Sequence, residues 1–275
     1  MSDRAQSVWV DGVAEAAPWT RDRGLLFGDG LFETMRLFDQ RAPLWTWHRR
    51  RLESSAQRLA LSLDMTLIEH QLERHMQVLA DGVLRLTVTR GSGGQGYACP
   101  ASSSQPRVIT SWRPLPESGQ ELLRVTMLQQ RIGSSSLLGG LKHLNRLEQV
   151  LLQQELDKQQ EFDEALVQNE HGQVVEGIAS NVFLVKNFVL HTPEIGHAGV
   201  LGVMRAWILE RSRDLRVPTR VQPLDVDDFL LADEVFFCNS VRGIMPVGLL
   251  LGRQLQQGVI TSRLKQDVDR VFAHA

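Results

Sequence analysis

Apolar positions along this chain change period several times, and each change marks an element. Residues 7–10 and 42–45 are short apolar runs that predict strands, and residues 48–61 repeat apolar side chains at helical spacing. A second helical period covers 66–80, after which residues 83–89 and 108–112 read as two strands joined by a Gly/Ser-rich loop. These elements predict a small α+β unit ending at Arg113. Residues 114–120, PLPESGQ, carry two prolines and no apolar period, as an interdomain linker does. Beyond them the pattern predicts strands over 124–128, 164–168, 174–184, 189–191 and 234–238, and helices over 145–159, 203–213 and 262–272. The expected organisation is a domain of residues 1–113, a linker of 114–122 and a larger domain of 123–275. No internal repeat or low-complexity tract interrupts it.

Charge and composition narrow the class. The net charge of -2 argues against a general nucleic-acid binder, yet all but four of the 30 basic residues are arginine. That bias favours fork-shaped recognition of carboxylates and phosphates, hence a small acidic ligand. Cys99 and Cys238 lie far apart and outside any metal-ligand spacing, so neither a disulfide framework nor a zinc site is expected. No charged leader precedes an apolar run and no 18 apolar residues occur together, so the expectation is a soluble, unprocessed, cytoplasmic protein without membrane partners.

One motif misleads. Residues 91–96, GSGGQG, match GxGxxG and come after an apolar strand, but a dinucleotide site needs a helix to open at the last glycine. The next ten residues, YACPASSSQP, cannot supply one. A hairpin loop rimming a pocket is the better expectation.

The chemistry emerges by elimination among four lysines. Lys158, Lys186 and Lys265 sit in polar surroundings, whereas Lys142 stands between a small-residue run and a predicted helix, flanked by Leu141 and Leu144. A desolvated lysine has a lowered pKa and serves as a Schiff-base nucleophile, although a helix-start lysine reaching out to water would look the same. Glu176 enters a predicted strand of small and apolar residues, EGIASNVF, where alternation would put it on one face with Ile178 and Ser180. A buried carboxylate needs a partner, and a protonated pyridine nitrogen is one; a strand-edge glutamate in water is the other reading. Gly199 to Met204, GVLGVM, opens a predicted helix whose free N–H groups suit a phosphate. An amine, an acid for a ring nitrogen and an anion-binding helix start together describe pyridoxal 5'-phosphate.

The segments LKHLNRLEQVLLQQEL from Leu141, VVEGIASNVFLV from Val174, GVLGVMR from Gly199 and EVFFCNSVRGIMPV from Glu234 resemble the fold-type IV aminotransferase family, as do RGLLFGDGLFETMR from Arg23 and HRRRL from His48. That family includes branched-chain and D-amino-acid aminotransferases and 4-amino-4-deoxychorismate lyases. The resemblance implies a two-domain α+β fold with pyridoxal phosphate in the interdomain cleft, and a homodimer. It puts Lys142 at the Schiff-base position and Glu176 at the acid of the pyridine nitrogen. Arg51, the backbone N–H groups of Val203 and Met204, and Ser240 fall at phosphate contacts. The runs KHLNRLEQVL, RGSGGQGY and FGDGLFET are similar to the lyases, and Thr34 stands where branched-chain enzymes usually carry glycine. A lyase acting on 4-amino-4-deoxychorismate is therefore implied, with Lys142 and Thr34 catalytic. Some lyases have a basic residue where this chain has Gln95, which leaves Arg90 and Tyr97 as the loop residues for the substrate carboxylates. An aminotransferase of the same family and a non-catalytic pyridoxal-phosphate binder are the alternatives.

Overall fold

The computed structural model describes residues 9–10, 13–14, 18–99, 105–116 and 121–274. Its first part comprises a short hairpin, β1 (Trp9–Val10) and β2 (Val13–Ala14), then α1 (Arg23–Phe27), β3 (Gly30–Leu37), α2 (Trp45–Arg58), α3 (Met65–Val78), β4 (Gly82–Thr89) and β5 (Arg107–Arg113). The last three strands form an antiparallel sheet in the order β3-β4-β5. One face of it, with Leu31, Met35, Leu84, Leu86 and Val88, packs on Leu52 and Ala56 of α2 and on Ile68 and Leu72 of α3. Both helices bury one stripe at helical spacing, and α3 is capped by Asp64, whose carboxylate accepts from Leu67 N–H at 3.0 Å.

Two expectations fail in this region. Residues 42–45 are not a strand: Pro43 lies in a turn closed by Trp45 N–H on the Ala42 carbonyl at 2.9 Å, and α2 begins at Trp45. Proline has no N–H for a ladder, and its fixed φ suits the turn. Conversely, β3 has no counterpart in the predicted elements, because each of its faces mixes polar with apolar residues. Leu31, Glu33 and Met35 point to α2 while Phe32, Thr34 and Arg36 alternate with them, so no period-two hydrophobic signal survives. The expected strand over 7–10 is described only at Trp9–Val10, and residues 117–120 of the expected linker lie outside the described residues.

The second part runs β6 (Leu123–Met127), α4 (Leu147–Asp157), β7 (Glu164–Gln168), β8 (Val174–Glu176), β9 (Asn181–Lys186), β10 (Val189–Pro193), α5 (Val203–Asp214), β11 (Thr219–Gln222), α6 (Val226–Leu230), β12 (Glu234–Asn239), β13 (Gly243–Leu250), β14 (Arg253–Gln254) and α7 (Val259–His274). The strands form one sheet in the order β11-β10-β9-β12-β13-β6-β7-β8, with β14 paired to β13. Val182, Leu184, Val235 and Phe237 face one core with Phe229 of α6. Phe183, Val185 and Phe236 face another, built with α5 and α7. Coverage of both faces explains why β9 and β12 read as unbroken apolar runs. Phe183 and Phe236, register partners in neighbouring strands, stack at 5.1 Å between ring centroids.

The expected single strand over 174–184 is two strands broken by a turn at 177–180, closed by Gly177 N–H on the Ser180 carbonyl at 2.7 Å. β13 also has no counterpart in the predicted elements, since Pro246 and two glycines obscure it. The ladder tolerates Pro246 because β13 pairs with β12 over residues 243–246 and with β6 only from Val247 onward.

Candidate active site

Lys142 does not lie in a helix; residues 141–144 are clamped between the two parts of the chain, with a single bridge of His143 to Leu31. Phe32 N–H donates to the Lys142 carbonyl at 3.0 Å and Leu144 N–H to Gly30 at 3.1 Å, which ties the segment to the start of β3. On its other side Gly140 N–H donates to Gly199 and Leu201 N–H to Gly140, each at 3.0 Å. The Arg146 guanidinium braces the loop from within by donating to the carbonyls of Leu141 and His143. The Lys142 amine lies 4.4 Å from the centre of the Phe32 ring. Burial, then the Arg51 charge, pushes its pKa from 10.5 down to about 7, so a large neutral fraction exists near neutral pH.

Glu176 ends β8 and is buried. Val200 N–H donates to its Oε2 at 2.8 Å, and Asn181 Nδ2 reaches the same oxygen at 3.5 Å. Burial raises its pKa to about 7 against the pull of Arg146 and Lys142. Because of the turn at 177–180, the strand alternation invoked from sequence does not operate; the carboxylate is placed by Val200 and Asn181 instead. Asn181 also donates to the Val200 carbonyl at 2.9 Å.

Beyond Val200 the chain enters α5 through Gly202, with no side-chain cap on its first N–H groups. A Cβ at Gly202 would collide with Asn181 Oδ1, and Gly199 has φ +77° with Glu176 and Val175 pressed against it. Uncapped N–H groups of Val203 and Met204 thus point toward the same space as Glu176 and Lys142.

Arg51 on α2 faces this helix start, donating from Nη1 to the Leu201 carbonyl at 3.1 Å. Its other side is held by Glu33, a residue that sequence reasoning did not single out. Nε donates to Glu33 Oε1 at 2.9 Å and Nη2 pairs with Oε2, which also lies 2.6 Å from His48 Nδ1. Burial alone would raise the Glu33 pKa, but Arg51 and His48 outweigh it and leave a value of about 2. The available signal was the spacing of His48 and Arg51, which puts both on one side of α2.

These groups surround a cavity of about 440 Å³ bounded by both parts of the chain. Thr34, Arg51, Lys142, Glu176, Val203, Met204 and Ser240 all line it. The Ser240 hydroxyl donates to the Thr34 carbonyl at 2.7 Å, another tether between the parts. Arg90 and Tyr97 do not line it. Arg90 is committed to Asp29 at 2.8 Å and to the Leu59 and Ala60 carbonyls at the end of α2. Tyr97 is 86% exposed and packs on Phe27, within a loop whose carbonyls accept from Arg23. The loop of residues 91–99 opens no helix and is pinned over α1 rather than to the cavity rim. The cations that do line the cavity, besides Lys142 and Arg51, are Arg85, Arg113, Arg146 and Arg242; among the described residues Glu176 is its one carboxylate. Arg85, directly opposite Thr34 in the β3–β4 ladder, lies over the Phe32 ring at 4.0 Å and pairs with no carboxylate among the described residues. A broader cavity of 840 Å³ lies beyond Val241 and Arg242, but its lysine, Lys265, is paired with Asp269 and no carbonyl-reactive amine faces it.

A phosphate fits the uncapped N–H groups beside Arg51, and a pyridine nitrogen fits the buried, proton-avid carboxyl of Glu176. An aldehyde fits the neutral amine of Lys142. The sequence profile of the amino-transferase class IV family matches residues 30–250. The chain belongs to that family. Among curated relatives, an aminodeoxychorismate lyase of Vibrio harveyi is 32% identical, with 87% of this chain and 89% of that one aligned. A putative branched-chain-amino-acid aminotransferase of Methanocaldococcus jannaschii is 33% identical, with 89% and 88% aligned. The crystal structure of 4-amino-4-deoxychorismate lyase from Pseudomonas aeruginosa matches with a TM-score of 0.87 and 42% identity, covering 95% of this chain and 97% of that one. The mixed α+β fold expected from sequence is thus the fold of the class IV family.

Proposed function

We propose that this class IV protein is a pyridoxal-phosphate-dependent lyase that converts 4-amino-4-deoxychorismate to 4-aminobenzoate and pyruvate. The observation that carries the reading is the charge of the cavity. Among the described residues, six cationic side chains face one carboxylate. With Arg51 assigned to phosphate, Lys142 to the aldehyde and Arg146 held by the Leu141 and His143 carbonyls, three arginines remain, more than a monocarboxylate amino acid requires and suited to a substrate with two carboxylates. The similarity to lyases of Vibrio harveyi and Pseudomonas aeruginosa supports the same choice.

When bound, the cofactor supplies an electron sink for cleavage at the amine-bearing carbon. The chain's own residues supply the rest. Lys142 would hold the cofactor by its aldehyde and, as a free amine, would serve as the base. Its pKa of about 7 then lets it accept the proton from substrate C4. Glu176 would hold a proton at the ring nitrogen. As the carbocycle becomes aromatic, the C3–O bond breaks, and Lys142 with Thr34 returns the proton to the departing enolpyruvate, giving pyruvate. Arg85, opposite Thr34, binds a substrate carboxylate.

The protein works as a homodimer in the reducing cytoplasm. Leu25 and Leu26 of α1 and Leu147, Val150 and Leu151 of α4 are exposed, and Asn145 Nδ2 donates to the Gly28 carbonyl so that the two helices adjoin; a second copy would cover this apolar face. Cys99 and Cys238 are unpaired, and no helix among the described residues is long and apolar enough to cross a membrane. We keep the domain division of residues 1–113 and 123–275, supported by the separate core of the three-stranded sheet. The test is incubation with 4-amino-4-deoxychorismate: equal yields of 4-aminobenzoate and pyruvate are expected. No pyruvate, together with amino transfer from D-alanine or a branched-chain amino acid to an oxo acid, would make the protein an aminotransferase, the activity for which the Methanocaldococcus jannaschii relative is named.

A further inference from the structure

Glu164, the first residue of β7, is buried and takes no part in the reaction described above. Its carboxylate nonetheless gathers three donors. Oε1 accepts from Ala165 N–H and from Ile178 N–H, each at 3.1 Å, and Oε2 accepts from the Ser180 hydroxyl at 2.7 Å. Two of these donors belong to the turn at 177–180, which joins Glu176, the last residue of β8, to Asn181, the first of β9. The turn is tightly enclosed: a Cβ at Gly177 would press on Ser180 and on the Phe237 ring. Its conformation therefore decides where Glu176 and Asn181 point. Asn181 in turn holds the Val200 carbonyl and abuts Gly202, the residue that opens α5.

We propose that Glu164 is a positioning residue for the cofactor, whose carboxylate fixes the 177–180 turn so that Glu176 and, through Asn181, the start of α5 are held at the spacing that the pyridine nitrogen and the phosphate require. This inference rests on the assignment of Glu176 and α5 to the cofactor. An acceptor suits the place because all three neighbours donate to it, while burial pushes the carboxyl's pKa up. Glutamine keeps an oxygen for the two N–H groups, and its amide donates to the Ser180 hydroxyl, which can reverse its role. Alanine leaves both N–H groups and the hydroxyl without their acceptor.

The experiment compares wild type, Glu164→Ala, Glu164→Gln, Ser180→Ala and Glu176→Gln. It measures the dissociation constant of pyridoxal phosphate by titration of the apoprotein, the absorption band of the bound cofactor, and kcat and KM. Loss of the buried acceptor in Glu164→Ala should weaken cofactor binding about tenfold or more and lower kcat, with Glu164→Gln restored to within about threefold of wild type and Ser180→Ala intermediate. The inference is overturned if folded Glu164→Ala binds cofactor as wild type does, or if glutamine rescues nothing. Should Glu164→Ala not fold, Ser180→Ala decides: an unchanged dissociation constant there is equally fatal. Full turnover in Glu176→Gln would instead remove the assignment on which the inference rests, whereas loss in Glu176→Gln with an intact Glu164→Ala removes this inference alone.

Discussion

Replacing Glu33 by glutamine deletes one buried charge and almost no volume, so it isolates what the carboxylate does for Arg51. Glutamine stands in for the protonated acid. In the folded protein the Glu33 pKa is about 2 against an ordinary 4.5. At about 1.36 kcal/mol per pH unit, that gap corresponds to about 3 kcal/mol of stability at neutral pH. The sign comes from a depressed folded-state value: the stabilisation is complete above the unfolded pKa and is lost as pH falls through the folded one. By pH 3 about 1 kcal/mol should remain, and the gap shrinks further as pH falls through the folded pKa. Urea unfolding of both apoproteins at pH 7 and pH 3 measures the two gaps. Cofactor affinity should fall as well, because Arg51 keeps its contact to Leu201 but loses the side that aims it. A stability gap below about 1 kcal/mol at pH 7, as a solvent-exposed pair would give, or a gap that does not change with pH, refutes the reasoning.

Borohydride reduction of the holoprotein should fix the cofactor on Lys142 alone, and peptide mapping that finds it on Lys158, Lys186 or Lys265 would end that assignment. With the Lys142 pKa held down to about 7, covalent uptake of pyridoxal phosphate by the apoprotein should quicken from pH 6 to 8 as the ammonium loses its proton; a midpoint near 10 would mean that the amine is not desolvated. Glu176→Gln should retain much of the cofactor binding yet lose most turnover, since an unprotonated ring is a poorer electron sink, and titration beside steady-state rates checks both halves. Thr34→Ala should lower kcat for pyruvate release more than it raises KM and affect any slow amino transfer from D-alanine less; equal losses in the two reactions would make Thr34 a packing residue.

How much of this site the sequence reveals depends on the physics of each residue. Lys142 and Gly199–Gly202 are legible because rarity and backbone geometry leave marks: one lysine of four sits among apolar neighbours, and only glycine fits beside Glu176 and Asn181. Glu176 is found for a reason that does not hold, since strand alternation stops at Gly177. Arg85 and Glu33 are missed because their roles depend on which strand faces which. An arginine inside VLRLTVT reads as an exposed strand residue until β3 is laid beside it with Thr34 opposite. Arg90 and Tyr97 are suggested by nearness in sequence to a glycine-rich loop, and within this chain that loop is fastened to Arg23 instead. Of the strands with no predicted counterpart, β3 and β13 are hidden by local composition: polar residues fall on both faces of β3, and Pro246 with two glycines interrupts β13.

The site's dependence on β3 shows how much of its chemistry is a matter of register. Side chains alternate across a strand, so Glu33 under α2 and Thr34 over the cavity are one decision, not two. A slip of one residue would carry Glu33 into the cavity, where a second carboxylate would oppose an anionic substrate, and would bury Thr34 against α2 in place of the acid that holds Arg51. Hydrophobic patterning constrains this register only weakly, given the mixed faces of β3. Backbone pairing fixes it: eight consecutive partners in β4, Phe32 N–H on the Lys142 carbonyl, and Ser240 on the Thr34 carbonyl. Two of those contacts come from the part of the chain that carries Lys142 and the uncapped start of α5. The peptide group of Lys142 thus helps to set which face of β3 meets the cavity, and the placement of Thr34 and Arg85 on that face depends on the same hydrogen bond.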